Sequence, residues 1–106
     1  MTDNVIVFVT CESQEQAERI AETVVDERLA ACVNILPGVR SCYIWEGKRT
    51  WSDEIQCLIK TTRGRFDQLQ KRIRSLHSYE VPEIVAVTID ELNSAYGDWI
   101  EKSVRG

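Results

Sequence analysis

Two side chains in this chain could bind a metal or act in nucleophilic chemistry: Cys11 and His77, the latter its only histidine. An imidazole and a thiolate suit copper or zinc, and carboxylates could complete such a site. The same pair formally allows cysteine–histidine catalysis. That chemistry also needs an orienting third group and an oxyanion hole, and no surrounding motif signals either. No enzyme is therefore expected. His77 has a second reading as a cation at the C-terminal end of a helix, where its charged form would complement the macrodipole. Glu54, Lys60, Tyr79 and Glu83 lie on or beside apolar strands. They would either line a cleft between subunits or serve as half-exposed strand residues and interface ion pairs. Asp53 reads as turn chemistry. Gly64, alone between Arg63 and Arg65, makes neither a P-loop nor a G-x-G-x-x-G phosphate cradle.

The elements that must position these groups follow from hydropathy patterning. Val5 to Val9, VIVFV, is a short continuous apolar run, as expected of a central strand buried on both faces. Ser13 and Gln16 form an S-x-x-Q capping box that starts a helix. Its apolar positions Ala17, Ile20, Ala21, Val24 and Val25 make one stripe facing a sheet. Cys32 to Trp45 is strand-like, Glu46-Gly47-Lys48 supplies a turn, and a further strand runs from about Thr50 to Thr61. A second helix carries Phe66, Leu69, Ile73 and Leu76 on one face and cannot continue through Pro82. EIVAVTI, residues 83–89, predicts the fourth strand. SAYGDWIEKSV predicts a short C-terminal helix weakened by Gly97.

The order β-α-β-β-α-β plus a tail is the α+β, ferredoxin-like split βαβ arrangement, with both helices on one face of an antiparallel sheet. One domain is expected over residues 1–106. The central hairpin is too long for it. Arms of about 13 residues span roughly 43 Å, against a diameter near 34 Å for a domain of this size. Unless Pro37-Gly38 folds the first arm back, the hairpin must project. Its tip carries Trp45 and Trp51, with Tyr43 close by. Exposed aromatics on a projecting strand pair point to a homo-oligomer built by strand addition.

Composition narrows the rest. The net charge of −4 and the acidic first helix (Glu15, Glu18, Glu22, Asp26, Glu27) argue against nucleic acid as partner. Arg63, Arg65, Lys71, Arg72 and Arg74 read as a solvated helix face. No apolar run approaches the roughly 20 residues that span a bilayer, so no membrane partner is expected. The N-terminus does not read as a signal peptide, which makes the cytoplasm the default compartment. There the four cysteines should stay reduced. Cys32, Cys42 and Cys57 sit within apolar alternation as small core or interface residues, whereas Cys11 falls at a strand end.

ERLAACVNILPGV (Glu27 to Val39), YIWEGK (Tyr43 to Lys48), IKTT (Ile59 to Thr62), LHSYEVPEIVAV (Leu76 to Val87) and the Tyr96–Trp99 pair together resemble the CutA divalent-cation tolerance family along nearly the whole chain. The resemblance implies a tight homotrimer in which long strands pair across subunits, with Tyr43, Trp45 and Trp51 at the trimer interface. It also implies a cytosolic protein linked to tolerance of copper and other divalent cations, with copper as the usual bound metal. Trimers of similar architecture serve in PII signalling, so an alternative is an adaptor that binds a small ligand or protein in the inter-subunit cleft. Ser78 stands where the family has proline. Val9 and Leu76 stand where some members have a cysteine and a second histidine. This leaves His77 and Cys11 as the metal ligands that the resemblance allows.

Overall fold

A computed structural model describes residues 2–105; Met1 and Gly106, the ends of the expected 1–106 domain, lie outside the described residues. The elements are β1 (Asn4–Cys11), α1 (Gln14–Asp26), β2 (Cys32–Trp45), β3 (Lys48–Thr62), a 3₁₀ turn (Arg63–Arg65), α2 (Phe66–Leu76), β4 (Val85–Thr88) and α3 (Ser94–Val104). The four strands form one antiparallel sheet in the order β2-β3-β1-β4, as the split βαβ pattern requires.

Local chemistry accounts for the helices. Ser13 caps α1 by accepting the Gln16 N–H at 3.1 Å, which satisfies one of the orphan donors of the first turn. Ala17, Ile20 and Val24 then bury one stripe against the sheet, while Val25 turns partly outward. In α2, Leu69 and Ile73 are fully buried and Phe66 and Leu76 pack at the margins of the same core. Its basic side chains are largely engaged. Arg72 forks onto Glu27 at the C-terminal cap of α1, Lys71 pairs with Asp67, and Arg65 of the preceding 3₁₀ turn donates to the Val104 carbonyl. Asn93 caps α3 by accepting the Tyr96 N–H. Gly97 is less a weak point than a close approach: a Cβ there would stand 3.4 Å from both Asn4 and Leu92.

The hairpin does project. The molecule measures 45 × 26 × 22 Å, and β2 and β3 stay paired from Cys32↔Lys60 to Trp45↔Lys48. Glu46 and Gly47, both at positive φ, make the two-residue connection whose twist matches a hairpin. Pro37-Gly38 does not fold the arm back. It inserts one extra residue between the pairs Leu36↔Gln56 and Val39↔Glu54, with Gly38 at φ +83°, a bulge that bends the strand without ending it.

Two expectations need correction. The fourth strand covers only Val85–Thr88, the stretch that pairs with β1 across Val5 to Phe8. β1 is central, yet it is fully buried on one face only. Val5, Val7, Val9 and Cys11 face the helices, whereas Ile6 and Phe8 are half-buried on a face that carries no second layer along most of its length.

Candidate functional site

The end of β1, the bulged stretch of the hairpin and the segment after α2 converge on one cleft. Thr10, Tyr43, Trp45, Glu54, Tyr79, Val81 and Glu83 line a cavity of about 470 Å³. Glu54 enters from β3 directly opposite Val39, the first paired residue beyond the bulge. The bulge lies on β2, and Glu54 keeps the regular alternation of β3 on the face it shares with Gln56 and Leu58. Tyr79 closes the cleft from the other side and donates its phenol proton to Glu54 Oε2 at 2.9 Å. Burial first, then the bond to Glu54 and the nearby Glu12 charge, hold the Tyr79 phenol proton well above the usual tyrosine range.

His77 sets the position of Tyr79. The Tyr79 N–H donates to His77 Nδ1 at 3.0 Å, and the ring's Nε2 lies 2.7 Å from the Thr10 carbonyl. An amide N–H can only donate and a carbonyl can only accept, so the ring is the neutral Nε2–H tautomer with both nitrogens engaged. The rings of His77 and Tyr79 stand 4.8 Å apart. His77 caps α2 at its C-terminal end, where its own N–H bonds the Ile73 carbonyl. In effect it ties the end of β1 to the segment that carries Tyr79, Val81 and Glu83.

Cys11 is not part of this arrangement. It is fully buried on the helix-facing side of β1 and shares that face with Cys57, its diagonal neighbour on β3. The hydrogen bond between the two sulfurs, followed by burial, pushes the Cys11 thiol up. The same bond draws Cys57 down while burial opposes it. Within one chain, then, His77 presents no free ring nitrogen and Cys11 no exposed sulfur, and no hydrogen bond joins them as nucleophile and base. Among the described residues no three of His, Cys, Asp and Glu come together as a metal-ligand set. The donors in this chain do not fit a preformed copper site.

The expected cleft set is brought together in part. Glu54, Tyr79 and Glu83 line it, and so do two of the hairpin aromatics, Tyr43 and Trp45. Lys60 does not. It lies six residues along β3 from Glu54, about 20 Å away, and donates to the Asn34 side chain. Trp51 stands 4.9 Å beneath the Arg40 guanidinium, and Arg40 in turn pairs with Asp53 at 3.1 Å, so Asp53 is a cross-strand partner rather than a turn residue. Thr10 and Val81 were not legible as cleft residues. Nothing in a strand-end threonine or a loop valine marks the cavity that the fold builds around it.

A sequence model described as CutA1 divalent ion tolerance protein matches residues 5–103. The chain is 47% identical over 98 residues to the divalent-cation tolerance protein CutA of Thermus thermophilus, covering 92% of this chain and 95% of that one. Among solved structures, CutA from Xylella fastidiosa superposes with a TM-score of 0.96 at 40% identity, covering 97% of this chain and 99% of that chain. A protein from Archaeoglobus fulgidus described as periplasmic divalent cation tolerance protein CutA superposes with a TM-score of 0.94 at 35% identity, covering 96% and 99%.

Proposed function

The chain belongs to the CutA1 divalent ion tolerance family, and on that basis we propose that it supports tolerance of divalent cations, copper among them, as a cytoplasmic homotrimer. The observation that carries this reading is the 47% identity, over nearly the full length of both chains, to a relative named for divalent-cation tolerance. No catalytic step belongs to it.

Assembly is supported by the bare sheet face. Ile6, Phe8 and Leu58 are half-buried there, and Leu36, Val85 and Val87 are 43%, 49% and 48% exposed. An apolar face of this extent is stabilised when a second copy covers it. The projecting hairpin, with Tyr43, Trp45 and Trp51 exposed near its tip, supplies strand edges for neighbouring subunits. A reducing compartment is supported by Cys11, Cys32, Cys42 and Cys57, all of which are free thiols. No helix among the described residues is long and apolar enough to cross a membrane. A metal held by His77 and Cys11 would have to displace the backbone partners of the ring and open the core at Cys11. The copper component of this reading therefore rests on the family relationship.

The test is genetic. Deleting the gene should sensitise the host to copper(II), and the wild-type gene should restore growth. Equal copper and cobalt tolerance in deleted and parental cells would overturn the proposal. In parallel, a stable monomer in sedimentation equilibrium at micromolar concentration would overturn the assembly.

A further inference from the structure

Glu54 is only 8% exposed, and its single hydrogen bond is the one Tyr79 donates to Oε2. No cationic side chain among the described residues stands within ion-pair distance of Glu54 or Glu83. A carboxylate largely enclosed by protein and left without a counter-charge favours a cation beside it. A cation has space beside it here, since Glu54 lines the 470 Å³ cavity described above. That volume lies within the usual range for small-molecule sites.

The walls discriminate between cations. A bare metal ion asks for several ligands at close range, and no three His, Cys, Asp or Glu side chains gather as such a set among the described residues. The cavity instead offers two carboxylates among Tyr43, Trp45, Tyr79 and Val81. Aromatic faces attract ammonium groups, and an alkyl chain gains by leaving water beside apolar walls. Glu54 Oε1 accepts no hydrogen bond from the described residues and can take an N–H donor, which a primary ammonium has and a quaternary one lacks. Glu83, exposed at the rim, can meet a second positive end.

We propose that this cleft is a binding site for a short primary alkylammonium or diammonium ion, with Glu54 as the buried anchor, Glu83 as the rim partner, and Tyr43, Trp45 and Tyr79 as the aromatic wall. Tyr79, by occupying Glu54 Oε2, leaves Oε1 to the ligand. The site stands apart from the tolerance reading, since it takes an organic cation and uses neither His77 nor Cys11.

The experiment is calorimetric titration of the assembled wild-type protein with 1,4-diaminobutane, n-butylammonium, tetramethylammonium and neutral n-butanol at low and high salt. Both amines should bind, the diamine more tightly, and added salt should weaken them. Tetramethylammonium and butanol should bind more weakly or not at all. Glu54→Gln keeps an acceptor for Tyr79 and should weaken amine binding by about 10- to 100-fold. Glu83→Gln should weaken the diamine more than the monoamine, and Glu15→Gln on the exposed face of α1 should change neither. Absence of amine binding at millimolar concentration, or equal affinity in Glu54→Gln, overturns the proposal. If a basic side chain from a second copy fills the cleft, the amines will find no site and Glu54→Gln will shift the oligomeric state, which also overturns it. Copper tolerance of cells carrying Glu54→Gln is scored separately, so failure of this site and failure of the tolerance reading are told apart.

Discussion

The Nε2–H of His77 donates to the carbonyl of Thr10 across 2.7 Å, joining residues 67 positions apart, while Nδ1 of the same ring accepts the Tyr79 N–H. One side chain thus fastens the end of β1 to the loop that closes the cleft. Because both bonds are partly sheltered from water, His77→Ala should cost about 1–3 kcal/mol of stability. A urea titration will show a lowered midpoint with an unchanged slope. An unchanged midpoint would mean that the ring does not clamp these segments.

Tyr79 should hold its proton beyond the usual tyrosine range. Its folded-state value is raised, so the neutral phenol is favoured by the fold. The associated stability is complete below the unfolded tyrosine value of about 10 and is lost as pH climbs through the higher folded value. In an alkaline titration followed by tyrosinate absorbance, one step should fall above the ordinary tyrosine range. Tyr79→Phe should remove that raised step and flatten the fall in stability above pH 10.

The uncovered sheet face gives a direct probe of assembly. Val87 is 48% exposed and sits beside Ile6 of β1 on that face. In a monomer Val87→Lys would be nearly neutral, since surface changes are usually within about 0.5 kcal/mol. In an oligomer that buries the face it places an unpaired charge in the contact. Sedimentation velocity should then show smaller species at micromolar concentration, with the far-UV circular dichroism preserved.

Thiol reactivity should divide two and two. Cys42 is exposed and Cys32 partly so, whereas Cys11 and Cys57 are fully buried. Ellman's reagent should label one thiol quickly and a second more slowly in the native protein. The remaining pair should react only on denaturation, because the thiolate is the reactive form and the core withholds it. Four equally fast thiols would contradict the buried pair.

Arg72 of α2 and Glu27 at the end of α1 bridge the two helices through three contacts of 3.0–3.1 Å. Both side chains are more than a third exposed, at 39% and 44%, so solvent and salt screen them. Arg72→Lys loses the two-pronged geometry and should cost no more than about 1 kcal/mol, with the loss shrinking in 1 M salt. A larger, salt-independent loss would assign the pair a packing role.

The element order, the capping serine, the α2 stripe and the hairpin overhang were all legible in the chain itself, because each rests on periodicity or on the chemistry of near neighbours. Ser13 and Gln16 lie one turn apart, and Leu69 and Ile73 share one side of a helix through spacing alone. Other relationships depended on how distant segments align. The register Val9↔Cys57 makes Cys11 a core partner of Cys57 rather than of His77. The pairing of β3 with β1 and β2 sets Glu54 beside the loop that carries Tyr79, while the length of β3 carries Lys60 away from it. The half-open faces of Ile6 and Phe8 read as buried in the sequence because an apolar run records that a face avoids water, not whether this chain or a second copy covers it. Residue spacing specifies which side of an element a group occupies. Only the pairing of strands tens of residues apart decides which groups meet there.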